Sequence, residues 1–255
     1  MNGEGDTVSV LARELRTQLS GIRGADIAIC PPFTALQSVA QELAGSGIHI
    51  GAQDMFWKDS GAYTGKVSGP MLKAAGCTHV ILGHSECRGR FGKQDEDITD
   101  ETIRHFGDTN ATVALKLRAA LRHELGVIVC VGETLAERDA GSCDAIVDVQ
   151  VHAALHGLQR EDMKTVTVAY EPVWAIGTGQ TCDAAEANRV CGVIRHVIGR
   201  IFGDETAQAT RIQYGGSVTA HNAQELLSQP EIDGALVGGQ SLKADAFARI
   251  VQAAL

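Results

Sequence analysis

The chain has 255 residues, of which 44% are hydrophobic and 4% aromatic, and its formal net charge is −9. Its length suits one large α/β domain, so we expect residues 1–255 to form a single domain. The acidic balance excludes a nucleic-acid-binding surface, and no apolar stretch is long enough to cross a membrane. The seven cysteines are scattered without a C-x-x-C pair, which favours free thiols in a cytoplasmic protein over disulfides or a metal site.

The first predicted element is a helix over residues 8–19, where Val8, Leu11, Leu15 and Leu19 recur at helical spacing. Only a short polar lead precedes this helix, and that lead has no strand pattern. The first helix therefore lacks the strand that would complete a strand-then-helix unit.

Seven short apolar runs follow, each bounded by turn residues and each followed by a helical pattern. They are rich in Val and Ile and nearly continuous, which is typical of strands buried on both faces of a parallel sheet. The predicted strands are residues 25–32, 48–54, 78–86, 126–133, 166–174, 211–217 and 234–240. Seven strands with eight helices predict a parallel α/β fold, and a closed eight-stranded barrel would need one strand more.

Polar residues directly follow five of the predicted strands. Because the carboxyl ends of parallel strands meet at one edge of the sheet, we expect these residues to share one polar rim that carries the active site. They are His84, Ser85, Glu86, Glu133, Glu171, the Gly215–Ser217 loop and the Gly238–Gly239 pair.

The sequence GHSECR (83–88) has two functional interpretations. It resembles the nucleophile elbow of hydrolases, with Ser85 as nucleophile, although Cys87 stands where that tight turn needs a glycine. Alternatively, His84 is an acid or electrophile at the end of its strand. A lone histidine more commonly just binds the backbone at such a junction.

The sequence AYEPVWAIGTGQ (169–180) predicts a base beside a lid. Glu171 ends an apolar strand, where a carboxylate is costly unless it has a partner or a task. Pro172 stiffens the exit, and an apolar segment with two glycines beyond it follows. Such a segment is typical of a lid that covers a site and excludes water, whereas an ordinary connection with one packed tryptophan is the alternative.

Two glycine-rich loops, YGGS (214–217) and LVGGQS (236–241), each lead into a predicted helix. Glycine lets backbone N–H groups approach an anion, and a helix N-terminus adds a favourable dipole. In (β/α)₈ barrels, phosphate sites commonly occupy the loops after the last two strands. A Gly-Gly pair is usually just a tight turn, but two on successive late strands favour a phosphate site.

With these residues placed, the chain resembles the triosephosphate isomerase family over its whole length. ICPPFTAL, GAQD with SGAYTG, GHSE, CVGET, AYEPVWAIGTG, QYGGSV and DGALVGG appear in the family's order. The resemblance implies a (β/α)₈ TIM barrel that interconverts dihydroxyacetone phosphate and D-glyceraldehyde 3-phosphate through an enediolate. It further implies that this isomerase needs no cofactor or metal.

The resemblance also implies roles for individual residues. Glu171 corresponds to the general base, and His84 to a neutral imidazole that polarises the substrate oxygens. Residues 172–178 correspond to the lid, and residues 60–65 to a loop that reaches into the partner subunit of a homodimer. The phosphate-binding residues are Gly177, Ser217, Gly238 and Gly239, and the supporting residues are Glu86 and Cys130.

The chain departs from the family's pattern in three places. Cys87 stands where the family usually has Arg, and Lys66 where it usually has Glu, both near the expected subunit contact. The connection over residues 89–112 is longer than usual by a short insertion, to which the resemblance assigns no role.

The resemblance places the family's first strand, which ends Asn-x-Lys, immediately before Met1. The lysine of that strand would face the negative charge of the substrate. We therefore expect the natural protein to extend upstream by roughly one strand. We expect a chain that begins at Met1 to be poorly soluble and nearly inactive.

Three other functions stay open from the residues. The first is another sugar-phosphate barrel, such as an epimerase or synthase, which would share the phosphate loops without needing the lid. The second is a hydrolase built on Ser85, which a fluorophosphonate would label. The third is a barrel relative that has lost catalysis and acts as a binding or structural protein.

Overall fold

The structure, a computed structural model, describes residues 1–93 and 96–255. The strands are β1 (Ala28–Ile29), β2 (His49–Ala52), β3 (His79–Leu82), β4 (Gly126–Val131), β5 (Val166–Tyr170), β6 (Ile212–Tyr214) and β7 (Gly234–Ala235). The helices are α1 (Asp6–Gln18), α2 (Leu36–Glu42), α3 (Gly69–Ala74), α4 (Asp100–Phe106), α5 (Asn110–Arg122), α6 (Leu135–Asp139), α7 (Cys143–Leu155), α8 (Ala184–Phe202), α9 (Asp204–Ala209), α10 (Ala223–Leu227) and α11 (Ala244–Gln252).

All seven strands of the described residues form one sheet in which each strand pairs in parallel with the next strand of the sequence. β4 and β5 form its centre, where five consecutive residue pairs run from Val127–Val166 to Val131–Tyr170. β1 and β7 are its two edges, and no strand precedes α1 in the described chain. Since all strands run the same way, their carboxyl ends lie at one rim.

Buried apolar runs form the central strands, and capping residues determine where a helix such as α8 begins and ends. Five residues of β4, from Val127 to Val131, are at most 6% exposed, as the continuous apolar run predicts. α8 begins where the Asp183 carboxylate accepts a hydrogen bond from the Glu186 N–H at 2.8 Å. It ends at Gly203, whose φ of +91° lies in the left-handed region that favours glycine.

The first and last helices pack together where the sheet has its two edges. Leu15 and Leu19 at the end of α1 share an apolar cluster with Phe247 and Val251 of α11. Gln18 adds a 2.6 Å hydrogen bond to the Asp245 carboxylate. The helix layer is therefore continuous between β7 and β1, although these strands do not pair in the described residues.

The seven predicted strands are confirmed, but each is shorter than its apolar run. The strand predicted over 166–174 ends at Tyr170, because Pro172 cannot donate to the sheet. The first helix is confirmed as Asp6–Gln18, whereas the expected total of eight helices is wrong, since the described residues contain eleven. Short helices such as α6, with five residues, have too few turns to show an apolar period.

No helix within residues 1–93 and 96–255 combines the length and apolar character needed to span a membrane.

Two histidines meet at the amino ends of β2 and β3. The rings of His49 and His79 have centroids 4.8 Å apart, and Thr78 Oγ1 lies 2.9 Å from His79 Nδ1. Burial lowers the pKa of His79 below its ordinary value of 6.5, and His49 lowers it further. Asp26 opposes this shift and Arg211 adds to it.

We expect this pair to make the protein less stable in acid. Because the pKa of His79 is lower in the folded chain, its contribution is complete above the ordinary value of 6.5 and is lost as the pH falls below it. His79→Gln should therefore flatten the dependence of the unfolding free energy on pH, measured by urea unfolding between about pH 7.5 and about pH 5. The control is His221→Gln at an exposed site; equal slopes for both variants would contradict the assignment.

Candidate active site

The carboxylate of Glu171 and the imidazole of His84 meet at the carboxyl rim. Glu171 directly follows β5 and is 2% exposed, and its Oε1 lies 2.8 Å from His84 Nε2. Its other oxygen, Oε2, accepts a 2.9 Å hydrogen bond from the Ser85 N–H. Although the Nε2 contact is short, Oε1 has no well-formed hydrogen bond, which indicates that the imidazole N–H is not aligned with it. The structure thus brings together the two residues predicted to carry chemistry.

The backbone around His84 selects one form of its ring. The Glu86 N–H donates to His84 Nδ1 at 3.3 Å, so Nδ1 accepts and a neutral ring carries its proton on Nε2. That N–H points into the site, where a substrate oxygen can accept it. The Glu86 side chain is 65% exposed, so Glu86 supports the site through its backbone.

The contact with Glu171 changes the proton affinity of His84. Burial lowers the pKa of His84, but the adjacent Glu171 carboxylate, together with the charge of Glu86, outweighs it and raises the pKa above its ordinary value. Contact with the carboxylate therefore favours the charged imidazolium, and movement of the carboxylate away from the ring favours the neutral imidazole that the resemblance implies.

Cys130 and Arg88 form the wall behind this pair. Cys130 on β4 is fully buried, and burial together with the nearby charge of Glu171 raises its thiol pKa well above the ordinary value. The Arg88 guanidinium is also buried, and it donates to the carbonyl oxygens of Gly83 at 2.7 Å and of Cys130 at 3.1 Å. It bonds Asn110 Oδ1 at 2.9 Å as well, so one side chain ties the ends of β3 and β4 to α5.

Within the lid predicted over 172–178, Val173–Ala175 form a short helical turn. The Trp174 indole N–H donates to the carboxylate of the fully buried Glu133 at 2.7 Å, and the Tyr170 hydroxyl donates to the same oxygen at 3.1 Å. Arg138 lies over the Trp174 ring, 4.4 Å from its centroid. The lid is therefore fixed by a polar network as well as by apolar packing.

Trp174→Phe tests this network. The substitution leaves Glu133 without its closest donor, so we expect the free energy of unfolding to fall by about 1–3 kcal/mol, measured by urea denaturation. The matched control is Trp57→Phe, because Trp57 packs on Phe56, with centroids 4.0 Å apart, away from Glu133. Equal losses in the two variants would show that the indole N–H bond contributes nothing.

The first glycine-rich loop lies beside the base and the lid. Gly215 packs so tightly that a Cβ there would be 3.1 Å from Glu171 Cγ. The Ser217 hydroxyl donates to the lid carbonyl of Ala175 at 3.3 Å. Within the lid, Gly177 has a φ of +70°, which an L side chain rarely adopts.

The second glycine-rich loop lies at the same rim, after β7. Gly238 and Gly239 begin the turn Gly239–Leu242, and the space around each is open. No hydrogen bond among the described residues joins them directly to His84 or Glu171. The second loop thus exposes backbone at the rim, as an anion site requires.

Residues 60–66, which comprise the predicted partner-contacting loop and Lys66, are exposed, whereas Cys87 is half-buried. Tyr63 is 42% exposed with its ring 4.9 Å from that of Phe56, and the Lys66 ammonium lies over the same Phe56 ring. Burial, with the charges of Asp54 and Asp108, raises the pKa of the Cys87 thiol to about 12. Cys87 is therefore a neutral thiol where the family usually has a cation.

No sequence pattern predicted a role for Arg88, and Glu133 was predicted only as part of the polar rim. A polar residue directly after an apolar strand was the available indication for Glu133. For Arg88 the indication was weaker, since an arginine in a turn is usually exposed. No group of three or more metal-ligating side chains lies close enough together to hold a metal ion in residues 1–93 and 96–255.

The sequence and the fold match one family of known proteins. The profile of the family described as triosephosphate isomerase matches residues 1–254 of the chain. A triosephosphate isomerase of Moorella thermoacetica is 53% identical over 243 residues, which cover 94% of this chain and 91% of the relative. One of Symbiobacterium thermophilum is 49% identical over 235 residues, with coverages of 92% and 86%.

A solved structure agrees with the fold as well as the sequence. The crystal structure of triosephosphate isomerase from Bartonella henselae superposes with a TM-score of 0.84 at 37% sequence identity. The match covers 99% of this chain and 94% of that one.

Proposed function

Because the chain belongs to the triosephosphate isomerase family, we infer that Glu171 and His84 carry out its reaction. The chain is an isomerase that interconverts dihydroxyacetone phosphate and D-glyceraldehyde 3-phosphate, and its fold is the TIM barrel class of α/β folds. The observation that carries the residue assignment is the meeting of a buried carboxylate and an imidazole at 2.8 Å beside the lid.

Glu171 acts as the base in this proposal. Its carboxylate takes a proton from C1 of dihydroxyacetone phosphate, and the electron pair moves to form an enediolate over C1 and C2. The proton of the C1 hydroxyl passes to the oxygen on C2, and the conjugate acid returns a proton to C2, which leaves an aldehyde at C1 and a hydroxyl at C2. An oxygen buried without an aligned partner is available to accept the proton once substrate lies between Glu171 and His84.

His84 stabilises the charge that develops on oxygen. Its Nε2–H donates to the substrate oxygens on C1 and C2, and the Glu86 N–H on Nδ1 keeps that proton on the substrate side. A fixed donor aimed at a developing oxyanion in a water-excluded site stabilises the transition state more than the ground state.

The two glycine loops and the lid bind the phosphate in this proposal. Gly177, Ser217, Gly238 and Gly239 offer backbone N–H groups and a hydroxyl, and the Ser217–Ala175 hydrogen bond already links the first loop to the lid. Cys130 and Arg88 support the reacting pair from behind.

We propose that the protein is a homodimer in which residues 60–65 contact a second copy. The exposed Tyr63 and the aromatic residues packed beneath it support this surface. Lys66 and Cys87 replace residues that usually contribute charges there, so the contact relies on aromatic packing. Sedimentation equilibrium tests this proposal, and a monomer at micromolar concentration would contradict it.

We propose that residues 1–255 act as one domain. A single sheet that uses strands from Ala28 to Ala235 in chain order supports this organisation. One cooperative unfolding transition is expected, and two separate transitions would contradict it.

We propose a cytoplasmic location. All seven cysteines are free thiols in the part of the chain that the structure describes. Thiols persist in a reducing compartment, and recovery of the native protein from the cytoplasmic fraction tests the proposal.

The hydrolase interpretation has no geometric support. Ser85 is 3% exposed, and its backbone N–H, rather than its hydroxyl, contacts Glu171.

The decisive experiment for the isomerase function is an assay in which a dehydrogenase consumes the D-glyceraldehyde 3-phosphate formed from dihydroxyacetone phosphate. Turnover by the natural protein is expected without added metal or cofactor beyond those of the coupling enzyme, and its absence would reject the function.

A further inference from the structure

The segment that follows GHSECR contacts the lid. Gly92 lies so close to the lid backbone that a methyl group at this position would overlap the carbonyl oxygens of Val173 and Ile176. We call residues Arg90–Gly92 the lid seat. It begins the longer connection that the family pattern leaves without a role; residues 94 and 95 of that connection lie outside the described residues.

The lid seat is tied to the loop after β4. The Arg90 guanidinium donates to the Gly132 carbonyl oxygen at 3.1 Å and pairs with the Glu137 carboxylate. Gly132 in turn packs directly against the backbone of Glu171, where a side chain would not fit. One short segment thus connects the lid, the backbone of the base and the loop between them.

The lid has to leave this position during the reaction. With Glu171 in contact with the His84 ring, no substrate carbon fits between the base and the electrophile. Glu171 is joined to the lid through Pro172, so movement of the carboxylate and movement of the lid are mechanically linked. A contact that stabilises this lid position therefore opposes substrate binding.

We propose that the lid seat holds the lid in the position where Glu171 meets His84, and that Gly92 is a positioning residue for the isomerisation. Because the seat meets the lid through backbone atoms, any side chain at position 92 displaces one of the two segments. The predicted effect on ligand binding rests on the proposed function, whereas the predicted lid position of the ligand-free protein does not.

Gly92→Ala in a Trp57→Phe background tests the proposal. Trp174 is then the single tryptophan and reports the lid directly. In the ligand-free protein, its emission should shift relative to the parent. Phosphoglycolate, a mimic of the enediolate, should bind at least about threefold more tightly, because the competing lid position is less populated. For the same reason KM should fall, and kcat/KM, which measures transition-state binding relative to the free enzyme, should not decrease.

Two further variants keep the test decisive. Gly192→Ala on α8 is the matched control, since a Cβ there lies an ordinary 3.5 Å from its nearest neighbour, Glu231 Cγ. Arg90→Met releases the seat without adding bulk, and Glu137 keeps its bonds to the Thr134 N–H and hydroxyl at 2.8 and 3.0 Å. Arg90→Met should shift the tryptophan emission and the phosphoglycolate affinity in the same direction as Gly92→Ala. It therefore tests the proposal even if Gly92→Ala does not fold.

The outcomes separate the two ideas. If the parent protein neither binds phosphoglycolate nor isomerises, the proposed function is wrong, while the ligand-free emission still tests the seat. If the parent binds, but the folded seat variants match it in emission and affinity as Gly192→Ala does, the lid seat is wrong.

Discussion

Replacing Glu171 with Ala should lower kcat by about 10²- to 10⁴-fold, because it removes the base that moves the proton between the two carbons. KM should change far less, since the phosphate is bound by the glycine loops rather than by this carboxylate. Steady-state kinetics in both reaction directions measure the effect. The loss should be shared by both directions, because one group removes the proton and returns a proton in each direction.

The same variant should not lose stability. Glu171 is buried, and its Oε1 lacks a well-formed hydrogen bond, so the carboxylate costs free energy that the alanine removes. Thermal unfolding of Glu171→Ala should therefore occur at or above the temperature of the parent. Glu225→Ala, at an exposed helix position, is the control and should change neither rate nor stability. A loss of kcat below about threefold would contradict the base assignment.

Replacing His84 with Ala should lower kcat by about 10²- to 10³-fold, through loss of the preorganised donor to the substrate oxygens. The enediolate forms in the transition state and not in the bound substrate, so the effect should fall mainly on kcat. Affinity for phosphoglycolate should weaken as well, since this mimic carries the charge that His84 stabilises.

The control for this variant is His105→Ala at an exposed position of α4. A His84→Ala protein that keeps its rate within about threefold of the parent would remove His84 from the reaction. Combining His84→Ala with Glu171→Ala should cost less than the product of the single losses, because the two residues act on the same step.

The sequence predicted the reacting pair because of where parallel strands end. His84 follows β3 and Glu171 follows β5, on either side of the central strand β4, so a shared rim already places them near one another. Their direct contact and the Ser85 N–H bond could not be predicted, since both depend on side-chain rotamers set by tertiary packing. The apolar pattern also could not predict where β5 ends, because loop residues such as Val173 and Trp174 are as apolar as the strand before them.

The supporting residues were harder to predict for a different reason. Arg88 donates to the backbone carbonyl oxygens of Gly83 and Cys130. Every residue has a backbone carbonyl, so a pattern of side chains does not show which of them accept a hydrogen bond. Gly92 gives the same difficulty, since its neighbours are the backbone oxygens of Val173 and Ile176. From sequence alone this glycine is typical of any surface turn. Interactions with distant backbone therefore form the part of this site that the sequence does not show.

The central claim is that Glu171 moves a proton between two carbons of a triose phosphate. Isomerisation of dihydroxyacetone phosphate in D₂O, followed by proton NMR, tests it most directly. The claim predicts that the parent protein introduces deuterium at C2 of the aldehyde, since a carboxylic acid exchanges its proton with solvent, and that Glu171→Ala loses this incorporation together with the rate. Isomerisation without deuterium at C2, or undiminished incorporation by Glu171→Ala, would contradict it.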